Sequence, residues 1–329
     1  MNPSFPAAWS QARRWLPERS QLQRWSEQLA LASVGIAVFI LCWHLLAAQV
    51  QTSLGGFPGP LQVAKQWSVL VTEHRQEKAR EAAFYQRQHQ RHAAALAESP
   101  DAELVLRPYR GRPTFFQQMQ TSLITVLTGF ALASVIAIPA GILIGLSARL
   151  YSAVNPLIQL FKPVSPLAWL PLVTIVVSAL YQTEDPWFSR SFVVSVLTVT
   201  LCSLWPTLLN TIVGVNAVSP DLNNVSRVLR LNWFTHIRRI VLPSAIPLMF
   251  TGLRLSLGIA WMVLIAAEML AQNPGLGKFV WDEFQNGSSD SLSRICVAVL
   301  VIGLIGFLLD RLMLMLQSRI SWDKDAVLR

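Results

Sequence analysis

The sequence predicts an all-α integral membrane protein with about six transmembrane helices. Two compositional facts and one length argument carry this. Hydrophobic residues make up 53% of the 329 positions and charged residues only 14%, against about a quarter in an average soluble domain. The charges are also unevenly spread, with none between Thr114 and Ala148 or between Ser191 and Pro220. About 20 apolar residues span the hydrocarbon layer of a bilayer. Runs of this length recur along the chain, which a soluble core with one buried helix does not require.

The expected spans lie at 31–50, 120–146, 156–180, 191–215, 243–270 and 294–317. Residues 1–30 read as a cytoplasmic amphipathic leader. Residues 31–113 hold the first transmembrane helix plus a periplasmic insert, 114–320 a membrane core, and 321–329 a cytoplasmic tail. Lys and Arg set the orientation. With the N-terminus inside, the inner side holds Arg13, Arg14, Arg19, Arg24, Arg149, Lys162, Arg227, Arg230, Arg238, Arg239, Arg311, Arg319, Lys324 and Arg329. The short outer connections hold only Arg190, Lys278 and Arg294. The bias places both termini in the cytoplasm. The long 51–119 connection, with nine Lys or Arg against six acids, is exempt by length. Even so, Arg107, Arg110 and Arg112 close to the second span run against the bias.

The net charge of +9 follows from this topology. No single basic face appears, which argues against nucleic acid as a partner. Membrane lipid is the expected surrounding. Cys42, Cys202 and Cys296 all fall in spans and read as small buried hydrophobes. His44, inside the first span, reads as a packing residue. In the insert, residues 73–98 are rich in Ala, Glu, Arg and Gln without a wide apolar stripe, so a solvated or surface-lying helix is expected. His74, His89 and His92 lie along it. No Cys or carboxylate completes a ligand set, and no metal site is expected.

Three segments carry chemistry. KPVSPLAWLP (162–171) places Pro163, Pro166 and Pro171 in the third span. Proline removes donors from the helix ladder. The result is either a simple kink or a broken helix lining a transport route. The second segment, 217–243, offers Ser219 as N-cap, Pro220 at the first helical position and Asp221 in the first turn. Leu222, Val225 and Val228 or Leu229 form one apolar stripe, and Trp233, Ile237 and Ile240 start a second beyond Asn232. Two short amphipathic helices joined by a kink are expected, with apolar faces that need a partner surface or lie on headgroups.

The third segment, QNPGLGKFVWDE (272–283), resembles the tail of a phosphate-binding loop. Such a loop needs glycine five residues before the Gly-Lys pair and a hydroxyl after it. Gln272 and Phe279 occupy those positions, so a nucleotide site is not expected here. Asn273-Pro274-Gly275 is a turn signal. The segment is either a plain connecting loop or one that folds back at the outer mouth, with Glu268, Asn273, Gly275 and Gly277 as mouth or gate candidates.

The segment ending in Leu242-Pro243, followed by TGLRLSLG (251–258) and AAEML (266–270), resembles the permease subunits of bacterial ATP-binding-cassette importers. The resemblance covers about 114–320. FKPVSPLAWLPLVTIVVSA (161–179), LCSLWPTLLNTIVGV (201–215) and AAEMLAQNPGLGKFVWDEFQNGSS (266–289) are similar to the nitrate-type members of the nitrate, sulfonate and taurine branch. The resemblance implies the type-1 importer permease fold and a cytoplasmic loop that docks into an ATPase. Counting back from Pro243, the family's Glu-Ala-Ala falls on Asn224, Val225 and Ser226, and its glycine on Arg230. The acidic contact is missing, so docking is expected from shape and from Arg227 and Arg230, with the kink forming near Asn232.

The resemblance also implies partners: ATPase subunits that bind ATP and Mg, a periplasmic or lipid-anchored substrate-binding protein, and a second permease copy in a homodimer. This chain itself is expected to bind no cofactor and to perform no covalent chemistry. The expected cargo is nitrate, or the related nitrite, bicarbonate or cyanate, crossing a bacterial inner membrane. Aliphatic sulfonate or taurine import is the rival cargo. An ATPase-independent anion carrier is a further alternative, although no inverted repeat is evident. An oxyanion path needs N–H and O–H donors. Ser165, Trp169, Thr198, Thr200 and Ser203 are candidates, with Arg254 as either a path cation or a tie between helices.

Overall fold

A computed structural model describes residues 19–52, 55–98, 107–182, 188–288 and 290–320. Residues 1–18 of the expected leader, 99–106 of the insert and the tail 321–329 lie outside the described residues. Two compact units are distinguished, Met1–Lys65 and Gln66–Arg329. The first contains α1 (Arg19–Gln49), whose stretch Ala30–Gln49 is long and apolar enough to cross a membrane. Two-residue strands, β1 (Gln51–Thr52) and β2 (Gly55–Gly56), then pair antiparallel with Gln51 opposite Gly56. Helix α2 (Pro60–Glu98) begins in this unit and runs on into the second.

In the second unit most helix starts carry a side-chain cap, because the first turn of a helix leaves N–H groups without partners. Thr114 and Gln117 form a reciprocal capping box at the start of α3 (Phe115–Gly145). Ser147 caps α4 (Ala148–Phe161), and Ser165 caps α5 (Pro166–Leu180). These two helices meet at a 99° bend, so the third hydrophobic stretch, expected as one span over 156–180, is a broken pair. Pro166 sits at the start of α5, where its missing N–H costs nothing. Ser189 caps α6 (Arg190–Asn216), and Ser219 caps α7 (Pro220–Val228).

After the elbow come α8 (Trp233–His236), a π-helical turn (Ile237–Val241) and α9 (Leu242–Ala271). They form one run of 39 residues, Trp233–Ala271. The second short amphipathic helix expected from the sequence is therefore the opening of the fifth span. It stays continuous through the π-helical turn, where the Leu242 N–H donates to the Ile237 carbonyl just ahead of Pro243. The fold closes with α10 (Leu276–Asn286) and α11 (Ser291–Ile320). Among the described residues five helices are long and apolar enough to cross a membrane, and six spans result if α4 and α5 count as one.

Helix α6 is central. Leu208 and Ile212 pack with Ala137 and Ile144 of α3 and Ile158 of α4. Val194 packs with Leu170, Val173 and Val177 of α5 and Ala267 of α9. Val215 packs with Ala245 and Met249 of α9. Pro206 lies inside α6, and beside it the Thr207 N–H donates to Ser256 Oγ of α9 at 3.0 Å, while Thr207 Oγ1 lies 2.7 Å from the same oxygen. Such polar links join helices where water is absent. The backbones also approach closely: a Cβ on Gly252 of α9 would sit 2.9 Å from the Pro206 carbonyl oxygen and 2.7 Å from Asn210 Cβ. Gly303 of α11 has open space around it. Gly252→Val is therefore expected to destabilise the α6–α9 contact by about 1–3 kcal/mol, while Gly303→Val leaves packing intact. Thermal unfolding of the two variants in detergent checks this, with a lower midpoint only for the first.

Candidate functional site

The elbow between α6 and α9 is built on an inside-out helix. The only buried residue of α7 is Ser226, at 7% exposure. Val225, Val228 and Leu229 expose 49%, 81% and 62%, and Leu222, Trp233 and Phe234 are exposed beside them. Asn223, Ser226 and Arg227 instead line a cleft of about 590 Å³ against Gly145, Leu146 and Val215 at the ends of α3 and α6. An amphipathic helix normally buries its apolar stripe. This one presents it.

The turn after α7 is held by backbone geometry. The Leu231 N–H donates to the Ser226 carbonyl and the Arg230 N–H to that of Arg227, both at 3.1 Å. This pair of bonds is the Schellman ending, which requires a left-handed residue. Arg230 supplies it with φ 46°, although a side chain there costs about 1–2 kcal/mol relative to the ordinary helical region. The kink closes at Arg230, the position aligned with the family's glycine, and runs on to Asn232. Asn232 caps α8, accepting the Thr235 N–H at 2.8 Å. The Ser226 hydroxyl and His236 Nδ1, 2.8 Å apart, clasp the two sides of the elbow. Asn224 is exposed, Leu242 packs on the α6–α9 cluster, and Pro243 opens α9.

At the far end of α9 the glycine-rich loop closes on Glu268. This carboxylate is fully buried. Ser122 Oγ of α3 lies 2.8 and 2.9 Å from its two oxygens and accepts the Leu276 N–H at 2.8 Å. The Gly277 N–H donates to Glu268 Oε2 at 3.0 Å. Asn273 Nδ2 donates to Thr125 Oγ1 at 3.3 Å. The loop thus does hold a carboxyl group at a helix N-terminus, but it belongs to the protein's own side chain. Both glycines are required by close approach. A Cβ on Gly275 would collide with the Glu268 carboxylate, and one on Gly277 with the Ile265 carbonyl oxygen. The mouth candidates Glu268, Asn273, Gly275 and Gly277 are therefore one cluster that sets α10 against α3 and α9.

The path candidates are not brought together in one cleft. Thr198 Oγ1 donates to the Val194 carbonyl at 2.8 Å, and Thr200 Oγ1 lies 2.8 Å from the Val196 carbonyl and 3.1 Å from that of Gly129. Ser165 Oγ accepts the Leu167 N–H at 3.3 Å. Ser203 Oγ, Trp169 Nε1 and also Ser195 Oγ are buried atoms without a hydrogen-bond partner among the described residues. Arg254 forms a two-pronged ion pair with Asp310 of α11, Nε to Oδ1 at 2.5 Å and Nη2 to Oδ2 at 3.0 Å. The pair edges a cleft of about 220 Å³ with Leu257, Trp261 and Met262, which none of the other candidates lines.

Residues 137–322 match the family described as the inner membrane component of binding-protein-dependent transport systems. The chain belongs to this family. The bicarbonate transport system permease protein CmpB of Synechococcus elongatus is 33% identical over 91% of this chain and 92% of its own length. The nitrate import permease protein NrtB of Leptolyngbya laminosa is 35% identical over 68% of this chain and 76% of its own. Among solved structures, the inward-facing MetNI methionine ABC transporter has a chain that matches with a TM-score of 0.55 at 13% identity. That match covers 95% of its length and 63% of this chain, and it shows the shared type-1 importer permease fold. The chain is thus a multi-pass membrane permease, and the elbow, Arg254 and Glu268 all lie in the family-matched region. Helices α1 and α2 lie outside it.

Sequence reasoning missed two partners. Asp310 is the one acid ending an apolar run from Ile295 to Leu309, and the rule that intramembrane charges pair offered the signal. Ser122 gave none, since a single serine in an apolar helix is unremarked by any pattern.

Removing the Glu268 side chain leaves Ser122 Oγ and the Gly277 N–H without their acceptor, at about 1–3 kcal/mol for each buried group. Glu268→Ala is expected to speed hydrogen exchange across 272–286 while α6 stays protected, as mass spectrometry of peptides would show. Arg254→Ala strands Asp310, and breaking one half of a pair is worse than removing both halves. Expression and melting of the Arg254→Ala/Asp310→Ala double variant should therefore exceed those of either single variant.

Proposed function

We propose that this chain is the permease subunit of an ATP-driven importer of a small oxyanion, nitrate first, with nitrite, bicarbonate and cyanate of the same class. One observation supports the coupling half of this reading: α7 turns its apolar side outward. A lone permease gains nothing from exposing Val228 and Leu229. A separate ATPase that covers them gains a grip on the elbow. Arg227 and Arg230 flank that surface and stand in for the missing acidic contact. Support for the cargo comes from the relatives named as nitrate and bicarbonate permeases.

The chain works as one half of a homodimer in a bacterial inner membrane, with both termini and the elbow in the cytoplasm. ATPase subunits hold ATP and Mg, and a substrate-binding protein delivers the anion at the opposite face. Closure of the ATPases moves α7. The clasped turn passes that motion into the rod from Trp233 to Ala271, about 58 Å at 1.5 Å per residue. Its far end carries Glu268, so α10 moves with it as a gate. The anion crosses past donors not bound elsewhere, Trp169 Nε1 and Ser203 Oγ, with the Ser165 hydroxyl beside the α4–α5 break. Asp310 neutralises Arg254, which keeps the site from gripping an anion too firmly to release.

Reconstitution in liposomes with ATPase and binding-protein partners tests the reading. ATP-dependent uptake of labelled nitrate, competed by bicarbonate or cyanate and not by taurine, is the expected result. Uptake without ATPase, or competition by taurine alone, would sink it. Val228→Asp/Leu229→Asp is expected to weaken ATPase association by roughly tenfold or more, since it puts charges into an apolar contact. Pull-down from detergent measures it.

A further inference from the structure

We propose that α2 and the strap returning along it form a docking arm for an acidic face of the substrate-binding protein. The inference rests on the importer reading above, which puts this arm on the delivery side. Within the second unit the arm is fixed to the membrane core. Trp67 meets the rings of Phe115 and Phe116 at 6.3 and 5.5 Å, and His74 Nδ1 lies 2.8 Å from Thr114 Oγ1. Glu73 pairs with Arg294 of α11, which also donates to Glu283 of α10 at 2.9 Å.

Beyond this anchor, residues 107–112 run back along α2. Gln88 makes two 2.9 Å hydrogen bonds with the backbone of Arg107, through its amide to the carbonyl and its oxygen to the N–H. Tyr85 OH accepts the Tyr109 N–H at 3.2 Å, and Tyr109 OH donates to Glu77 at 2.7 Å. That bond, made to a charged acceptor, raises the Tyr109 phenol above its ordinary pKa. The strap is therefore held, and with it the placement of its arginines.

The charge on this arm is one-sided. Arg80, Arg87 and Arg91, spaced seven and four residues apart, share one face of α2. Gln88 and Glu77 hold the strap next to that face, so Arg107, Arg110 and Arg112 extend the ridge. All six arginines are exposed. Among the described residues, the acids from Glu73 to Glu81 are spent: Glu73 on Arg294, Glu77 on Tyr109 and Arg80, Glu81 on Lys78. Among the described residues Arg80 is the only one of the six with an acidic partner. Three of the six, Arg107, Arg110 and Arg112, are the ones that oppose the usual charge bias at the outer end of a span. Arg112 also lines a cleft with Thr114 and Phe115 at the positive end of α3. A negatively charged partner relieves both.

A protein fits better than a lipid surface. Helices that lie on a bilayer carry an apolar face of Trp, Phe or Leu to insert. Past Val71, the large apolar side chains described on α2 are Phe84 and Tyr85, and Phe84 is taken up by Tyr109, 5.3 Å between rings. The ridge therefore offers charge without an insertable stripe. Steering of this kind acts mainly on encounter and specificity, and it fades as salt rises.

The test titrates the transporter's own binding protein against the complete permease–ATPase complex in nanodiscs of neutral lipid, reading stimulated ATP hydrolysis. With Arg87→Glu/Arg91→Glu/Arg110→Glu the half-saturating concentration should rise roughly tenfold at low salt, with the maximal rate kept. The corresponding Lys variant should behave as the parent, and raised salt should shrink the difference between parent and Glu variant. Unchanged half-saturation in the Glu variant overturns the docking arm while leaving the importer reading intact. So does an effect that appears only when anionic lipid is added to the nanodiscs, which would assign the ridge to the bilayer. Absence of any stimulation in the parent complex defeats the importer reading, and the arm with it.

Discussion

A hydrocarbon layer offers nothing for a backbone N–H, a carbonyl or a carboxylate to bond with. Most of this structure follows from that constraint. Most helix starts in the second unit bring their own partners. Thr114, Ser147, Ser165, Ser189, Ser219 and Asn232 do this at helix starts from the residue just outside. The α10 start is different, because Gly275 has no side chain to offer. Its N–H groups are satisfied from α9 and α3, by Glu268 and Ser122. The same bonds make a fully buried carboxylate tolerable. Cap and charge therefore solve each other's problem, and the glycines are what let them meet.

The rod from Trp233 to Ala271 links this cap to the elbow. At one end it is gripped by hydrogen bonds that leave little slack, and at the other by the Schellman turn at Arg230 and the Ser226–His236 clasp. A π-helical turn lies between elbow and rod. Such turns are frequent at functional sites. Close packing against α6, including the Gly252 contact with the Pro206 carbonyl, gives the rod a firm surface to move along or with.

Charge is placed with the same economy. Arg254 and Asp310 neutralise each other across α9 and α11. Arg294 joins Glu73 and Glu283, tying the insert helix to α10 and α11. On α2 and its strap, among the described residues, arginines accumulate and only Arg80 has an acidic partner. Within the membrane core these ion pairs tie helices together, while the arm, like the elbow with Arg227 and Arg230, keeps charge to offer a partner.

Local sequence alone marked the apolar spans, the Ser219 helix start and a proline-disrupted third span, leaving open whether that span kinks or breaks. A Ser or Thr before an apolar run, and a proline that lacks its N–H, act within a few residues of themselves. It also determined that 217–243 carries an amphipathic helix, through Ser219, Pro220 and the stripe from Leu222 to Leu229. Tertiary structure decided which way that stripe faces, since period gives a face and not its neighbour. It decided that the loop at 272–277 wraps Glu268, that Ser122 completes the bond, and that Arg254 belongs to Asp310, 56 residues away. It decided as well that the turn would form at Arg230 without glycine, because two backbone bonds outweigh the strain of one side chain. Those outcomes depend on helices distant in the chain meeting at particular depths, which only packing around α6 sets.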